Sequence, residues 1–434
     1  MEHFPQNPDS KLPSLPTRAF WKRYYYEYLS GFTSFLVPKN AKTFFFGSND
    51  FIEKQELTLP SLPVDYVVLS DVMGYIYDVE ASLSSVRSIL KDDGRLIVTQ
   101  YSMLWEPLLR LATRLHLRRF VSEQNWLSLF DLKNFMHLSG FEVVKSGTKM
   151  LLPVYIPIIS VFFNKVLANI WPFSVFGLFN YVVVRKSSIP AYQKKPSLSI
   201  IVPARNESGT IEKIVHELPE VGFFTEIIFI EGNSTDNTAE EIKRVVQKFG
   251  GTKKLLFAKQ EGRGKGDAVR KGFDMATGDI LAIYDADMTV PPEDVTKFYN
   301  AIVQNKADFI NGSRLVYPMQ KESMRILNFF GNKFFSFAFS WILGQQIKDT
   351  LCGTKVLWKK DYENIKSNRA FFGEFDPFGD FDLLFGAAKQ NRKIIDLPVR
   401  YRERTYGTTN ISRFSHGWLL LKMVFFALRK IKFI

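Results

Sequence analysis

The chain has 434 residues, of which 46% are hydrophobic and 23% charged, with a net charge of +13 and a single cysteine, Cys352. That composition belongs to a globular protein with room for two or three domains and excludes an intrinsically disordered chain. One Cys and five scattered His exclude an internal disulfide, leave no zinc-like cluster and fit a reducing compartment. The basic excess is spread along the chain with no Arg/Lys stripe among aromatics, so nucleic acid is not an expected partner; an anionic lipid or a phosphorylated substrate is.

The opening stretch, MEHFPQNPDSKLPSLP, has no apolar core and does not read as a signal peptide. Residues 1–40 are taken as an extension. From there VDYVVLSDVMGYIYDVEASLSSVRSILKDDGRLIVTQYS reads as strand, loop, helix, turn and strand, and GFEVVKSG and NYVVVRK as two further strands. Between them, residues 150–184 carry one charge, Lys165, but Pro153, Pro157, Pro172, Asn164 and Asn169 break the run. No span of about 20 apolar residues survives, which points to buried or interfacial packing.

The polar, basic stretch RKSSIPAYQKKPS marks a domain boundary, with the linker at 187–197. Beyond it, SLSIIVPARN predicts a strand, and Ile211, Ile214, Val215 and Leu218 a helix. EIIFIEGNST and then Ile242, Val245, Val246 and Phe249 repeat the design. KLLFAKQ, DILAIYDAD and DFINGSR are further strands, with DAVRKGFDMA a helix. Alternating strands and helices predict a mostly parallel sheet covered on both faces, with ligands beyond the carboxyl ends of the strands. Those ends carry P-A-R-N-E, E-G-N-S-T, D-A-D and N-G-S-R.

On an extended backbone Asp285 and Asp287 share a side, and two carboxylates suit a hard cation such as Mg²⁺ or Mn²⁺ that also binds a diphosphate. A strand-end turn with solvated acids is the plain alternative. EGRGKGDA, with three glycines around Arg263 and Lys265, allows close backbone approach to an anion beside a helix start. The carboxyl-terminal HGWLLLKMVFFALRKIKFI, residues 415–434 with the preceding Ser, predicts an amphipathic helix. Its Lys422, Arg429 and Lys430 border Trp418, Leu419, Phe425, Phe426 and Ile431, which suits an anionic membrane surface.

Taken in order, IVPARNE, EGNSTDNT, GRGKGDAVRKGF, DADMTVPPED, NGSR, KDTLCGTKV and IIDLPVRYRERTYGTTNISRF make residues 198–414 resemble a family 2 inverting glycosyltransferase of the GT-A fold, on the branch of dolichyl-phosphate mannose synthase and the polyprenyl-phosphate glycosyltransferases. The resemblance implies that Pro203, Arg205, Glu207, Glu231 and Lys265 line the site of a nucleoside-diphosphate sugar. It implies that Asp285 and Asp287 hold metal and diphosphate, and that Arg404 neutralises the leaving group. Arg314 and Arg325 would face the phosphate of a lipid acceptor. Two departures stand out: the family's D-D-G-S is E-G-N-S here, and Thr289 replaces a Gln. Asp380 falls where hydroxyl-using relatives keep a base, so a glycan or other hydroxyl acceptor is the alternative, and a non-catalytic membrane scaffold the rival. A cytoplasmic protein peripheral to the membrane is expected.

Residues 41–186 resemble a class I S-adenosylmethionine methyltransferase whose glycine-rich turn is reduced to TFFFGSND. Too few residues separate that turn from Asp65 for the usual helix and acidic ribose contact. This implies a degenerate α/β domain that does not use S-adenosylmethionine, with Asp71 and Tyr75 as pocket remnants; an active methyltransferase is the alternative.

Overall fold

A computed structural model describes residues 20–47, 60, 62–76, 78–115, 125–187, 194–314, 326–371, 381–402, 404, 406 and 413–434. The chain divides into two compact units, residues 1–188 with 432–434, and residues 189–431.

The amino-terminal unit holds a five-stranded sheet of β1 (Thr43–Gly47), β2 (Val64–Ser70), β3 (Leu90–Tyr101), β4 (Phe141–Lys149) and β5 (Phe179–Lys186) in the order β1-β2-β3-β5-β4. β1, β2 and β3 run parallel, and β5 is antiparallel to both β3 and β4. One face packs on α2 (Val79–Ile89) and α4 (Leu129–Leu138) through Leu83, Val86, Leu132 and Met136. α4 opens on a capping box, Ser128 with Asp131, which satisfies two N–H groups of its first turn. The other face is covered by α1 (Phe20–Leu36), whose Tyr25, Leu29, Phe32 and Leu36 recur at helical spacing and are buried. α1 thus belongs to the core of this unit, within the stretch taken from sequence as an extension. α3 (Glu106–Arg114) buries none of its residues.

The second unit holds a seven-stranded sheet built from β6 (Leu198–Ala204), β7 (Thr225–Glu231), β8 (Lys254–Lys259), β9 (Ile280–Ile283), β10 (Phe309–Ser313), β11 (Lys355–Trp358) and β12 (Ile394–Pro398). Its order is β12-β10-β11-β9-β6-β7-β8, with β11 the one strand antiparallel to its neighbours. The strands read as continuous apolar runs because helices cover both faces. α5 (Ile211–Glu217), α6 (Thr238–Phe249) and α8 (Asp294–Val303) pack on one side. On the other lie α7 (Lys265–Met275), α9 (Ile326–Leu343), α11 (Phe381–Lys389) and α12 (Arg413–Ala427). α10 (Lys359–Ser367) follows β11 and joins that core through Tyr362 and Ile365. This is a GT-A-like α/β fold, preceded by a methyltransferase-like α/β region.

α9 buries Phe335, Phe339 and Ile342 and leaves Phe334 and Phe337 exposed. α12 packs through Leu420, Met423 and Val424, and turns Trp418 and Phe425 outward, so it is a core helix with an apolar outer edge. Among the described residues, no helix is long and apolar enough to cross a membrane.

Candidate active site

The site lies at the carboxyl edge of the second sheet and is assembled by cross-links between successive strand ends. After β6, Asn206 adopts a left-handed backbone with φ 58°, and its Oδ1 accepts from the Thr235 N–H at 2.8 Å. Its own N–H donates to Ser234 Oγ, and the Glu207 N–H donates to Thr238 Oγ1 at 2.9 Å. Asp236, just before the start of α6, accepts from the Thr238 N–H at 3.0 Å. The P-A-R-N-E and E-G-N-S-T segments are therefore one bonded unit.

Pro203 ends β6 half-buried and Arg205 is exposed beyond it. Glu231 is buried at the end of β7, where its carboxylate accepts from the Ser234 N–H at 2.5 Å. It shapes the loop beyond β7 from beneath.

The two aspartates do not sit on a strand. β9 ends at Ile283, and residues 285–288 form a turn closed by Met288 N–H to Asp285 C=O at 3.2 Å, with Met288 at φ 55°. The expected alternation along an extended backbone is replaced by this turn. Lys265, the first residue of α7, places its Nζ 2.6 Å from Asp285 Oδ1. Arg404 places Nη2 2.7 Å from Asp287 Oδ2 and Nη1 3.2 Å from Glu207 Oε1. Burial opposes the Asp285 charge, but the Lys265 ammonium outweighs it and holds the carboxyl below its usual range. Glu207 goes the other way. Burial pushes it up to about 7 against the pull of Arg404, with Asp287, Asp236 and Asp285 adding to the rise.

The glycine-rich loop is closed by Asp267, whose Oδ2 accepts from the Gly262 N–H at 2.8 Å, and Gly264 at φ 85° sets the entry into α7. A left-handed residue there favours glycine.

Four contributors escaped the sequence reading. Thr289, noted there only as replacing a Gln, donates from Oγ1 and N–H to Asp287 Oδ1 at 2.8 and 3.1 Å and so orients that carboxylate. Gly353 lies so close that a Cβ on it would stand 2.0 Å from Asp285 Oδ2 and 2.3 Å from Lys265 Nζ. Tyr406 bonds Ser208 Oγ at 2.8 Å, and a Cβ on Gly209 would meet its ring at 2.5 Å. Asp349, in the KDTLCGTKV motif, takes Arg314 in a two-pronged ion pair, Nε to Oδ2 at 2.7 Å and Nη2 to Oδ1 at 2.9 Å. Burial opposes the Asp349 charge, and Arg314 outweighs it, holding the carboxyl at about 2. Arg314, expected to face an acceptor phosphate, is committed to this buried pair. The signal for Gly353 and Asp349 was present in the quoted motif, but nothing in a linear string says which strand end it meets.

Asp380 and Arg325 lie outside the described residues. Asp382, in the same D-x-D, is buried with Arg369 Nε 3.5 Å away. Among the described residues, no group of three or more His, Cys, Asp or Glu side chains is arranged to hold a metal ion. The Asp285 and Asp287 pair still fits a divalent cation by donor chemistry, since hard cations complete their shells with phosphate oxygens and water.

The carboxyl edge of the amino-terminal sheet is built otherwise. Asp71, at φ 56° beyond β2, accepts from Tyr25 Oη at 2.6 Å, and Tyr25 stacks on Tyr101 with ring centroids 5.1 Å apart. Val72, Met73 and Ile76 are buried beside them.

Fold and site together define an α/β domain with a charged carboxyl edge, and comparison with known proteins shows what it is similar to. Residues 199–366 match the glycosyl transferase family 2 profile, and residues 21–146 match a methyltransferase domain profile. Glycosyltransferase AglJ of Haloferax volcanii is 26% identical over 52% of this chain and 69% of its own length. A dolichol-phosphate mannosyltransferase of Pyrococcus furiosus is 26% identical over 49% of this chain and 59% of its own length. The chain spans between about half and seven tenths of the length of the first of the curated relatives it matches. Glucosyl-3-phosphoglycerate synthase of Mycobacterium tuberculosis, solved with Mn²⁺, UDP and glucosyl-3-phosphoglycerate, matches 54% of this chain and 80% of its own at 17% identity and a TM-score of 0.40. Residues 199–366 are thus similar to the family 2 glycosyl transferases, with dolichol-phosphate mannosyltransferases among the relatives, and residues 21–146 are similar to a methyltransferase domain.

Proposed function

We propose that the carboxyl-terminal domain is a metal-dependent inverting glycosyltransferase, moving a sugar from a nucleoside-diphosphate sugar to a polyprenyl-phosphate-type acceptor. The observation that carries this reading is the meeting of Asp285 and Asp287 with Lys265 and Arg404 at one sheet edge. Asp285 and Asp287 hold Mg²⁺ or Mn²⁺, which supplies positive charge against the leaving diphosphate. Lys265 and Arg404 exchange their carboxylate partners for diphosphate oxygens, and the Arg404 fork suits two oxygens at once. Thr289 and Gly353 keep the two carboxylates in place. Pro203, Arg205, Glu207 and Glu231 shape the nucleotide side.

A phosphate acceptor is already an anion at neutral pH and attacks the anomeric carbon without a base, so positioning and electrostatics do the work. Arg314, tied to Asp349, and Arg325 are the cations assigned to the acceptor phosphate in this reading. The protein acts at the cytoplasmic face of a membrane. The amino-terminal domain is read as non-catalytic, a reading supported by its reduced glycine turn and by the Tyr25–Tyr101 stack at its carboxyl edge.

The test is nucleotide release from a panel of UDP- and GDP-sugars with Mn²⁺ or Mg²⁺, with and without a polyprenyl phosphate. Release that needs metal and lipid phosphate is expected. Donor hydrolysis indifferent to lipid moves the acceptor to a hydroxyl with Asp380 as base. Absence of metal-dependent turnover with every donor leaves a scaffold.

A further inference from the structure

The amino-terminal domain carries an inside-out segment. Of the large apolar side chains exposed among the described residues, 17 fall in two short stretches, 103–115 and 154–176. Ile158 is 84% exposed and Trp171 79%. Monomers in water rarely show apolar patches on this scale. Yet the interior of the same segment is polar. Asn164 is fully buried, its Oδ1 accepting from the N–H groups of Leu151 and Leu152, both at 2.8 Å, and its Nδ2 donating to the Leu152 carbonyl at 2.8 Å. Ser160, also fully buried, accepts from the Ile156 N–H at 2.7 Å and donates to the Val154 carbonyl at 2.6 Å. Buried amide and hydroxyl groups thus satisfy the turn's backbone from within while hydrocarbon faces out. That is the arrangement a hydrocarbon surrounding demands, because lipid offers the backbone no partners.

The two stretches form one surface, since Trp105 Nε1 donates to the Phe176 carbonyl at 2.9 Å. α3 contributes Leu108 and Leu111, with Leu115 just beyond its end, beside the exposed Arg114 and an Arg110 that is paired with Glu106 at 2.5 Å. Lys165 is exposed within the segment itself. Apolar and aromatic side chains with exposed cations among them complement an anionic lipid surface. The helical run from Ile159 to Asn169 is about 16 Å long, half of a bilayer's hydrocarbon thickness, so the segment lies in the interface and does not cross it.

We propose that this face of the methyltransferase-like domain docks on an anionic lipid bilayer, with the 154–176 segment inserted to acyl depth and α3 lying along the headgroups. The domain then serves as a monotopic membrane anchor in a fold that elsewhere binds a cofactor. The proposal is independent of the transferase reading, because it requires neither donor nor acceptor.

The experiment is flotation of the full chain with phosphatidylcholine vesicles, with and without phosphatidylglycerol, beside sedimentation without lipid. The wild type is expected to float with the anionic vesicles. Ile158→Asp/Phe162→Asp should lower the bound fraction about tenfold or more, and Trp171→Ser/Phe176→Ser should do likewise. These side chains already face solvent, so the melting temperature should stay near that of the wild type; a pair that melts early is set aside for the other. Phe223→Asp, an equally exposed change in the transferase domain, should float normally. The proposal is overturned if the wild type does not float, or if both double variants float like the wild type. It is also overturned if the lipid-free protein self-associates and these variants abolish that, since a second copy then covers the face.

Discussion

The two sheets of this chain treat their carboxyl edges in opposite ways. At the edge of the transferase sheet, charged groups are held in pairs that a ligand can exchange: Lys265 with Asp285 and Arg404 with Asp287. At the edge of the methyltransferase-like sheet, Tyr25 reaches from α1 to bond Asp71 and stack on Tyr101. Both edges contain an aspartate just beyond a central strand. What separates them is whether its neighbours are ion-paired cations or a packed aromatic. A parallel sheet makes a site possible at that edge, and the residues placed there decide whether it stays open.

The largest effect should come from Asp287→Asn. Losing a carboxylate that would hold the metal against the leaving diphosphate should cost about a thousandfold in sugar transfer, read by nucleotide release, with an unchanged melting profile. Gly353→Ala comes next. Its new Cβ would collide with Asp285 and Lys265, so transfer should fall about a hundredfold although no titratable residue is substituted. If Gly353→Ala retains full activity, the geometry drawn for the open edge is wrong.

Smaller effects sharpen the contrast in the amino-terminal domain. Its Lys149 is buried against Phe32 and bonded to Asn169 Oδ1 at 2.7 Å, and burial lowers it from 10.5 to about 7. The unfolded chain therefore binds one more proton between about pH 7 and pH 10.5. Stability of this domain should rise with pH across that window, by at most about 1.4 kcal/mol per pH unit, and Lys149→Met should remove the slope in denaturant titrations at several pH values. Arg314, buried against Asp349, should show no such dependence. The smallest effect is that of Tyr25→Phe, which should cost about 1 kcal/mol of amino-domain stability and leave transfer untouched. A larger change in transfer than in stability would mean that the closed edge takes part in catalysis.

Much of this was legible in the sequence. Apolar runs ending in polar residues located β6, β7, β8 and β10, and periodic Ile211, Ile214 and Val215 located α5, because burial on one stripe leaves a direct trace. The ordered motifs assigned Asp285, Asp287 and Lys265 to one expected site, but not the ion pair of Lys265 with Asp285. Less so was the turn that carries the aspartates, since a strand end and a turn share the same apolar approach. The commitment of Arg314 to Asp349 joins residues 35 apart, and the contact of Gly353 with Asp285 spans still more of the chain. Local pattern carries no such information. The exposed apolar surface at 154–176 was half legible: prolines and asparagines ruled out a spanning helix, but only the buried Asn164 and Ser160 show which way the segment faces.

The most direct test of the contrast is one pair of calorimetric titrations on the intact chain, a nucleoside-diphosphate sugar panel with Mn²⁺ and then S-adenosylmethionine. The account predicts metal-dependent binding of a nucleotide sugar that Asp287→Asn abolishes, and no binding of S-adenosylmethionine. Binding of S-adenosylmethionine, with none of any nucleotide sugar, would contradict it by showing that the open and closed edges have been assigned the wrong way round.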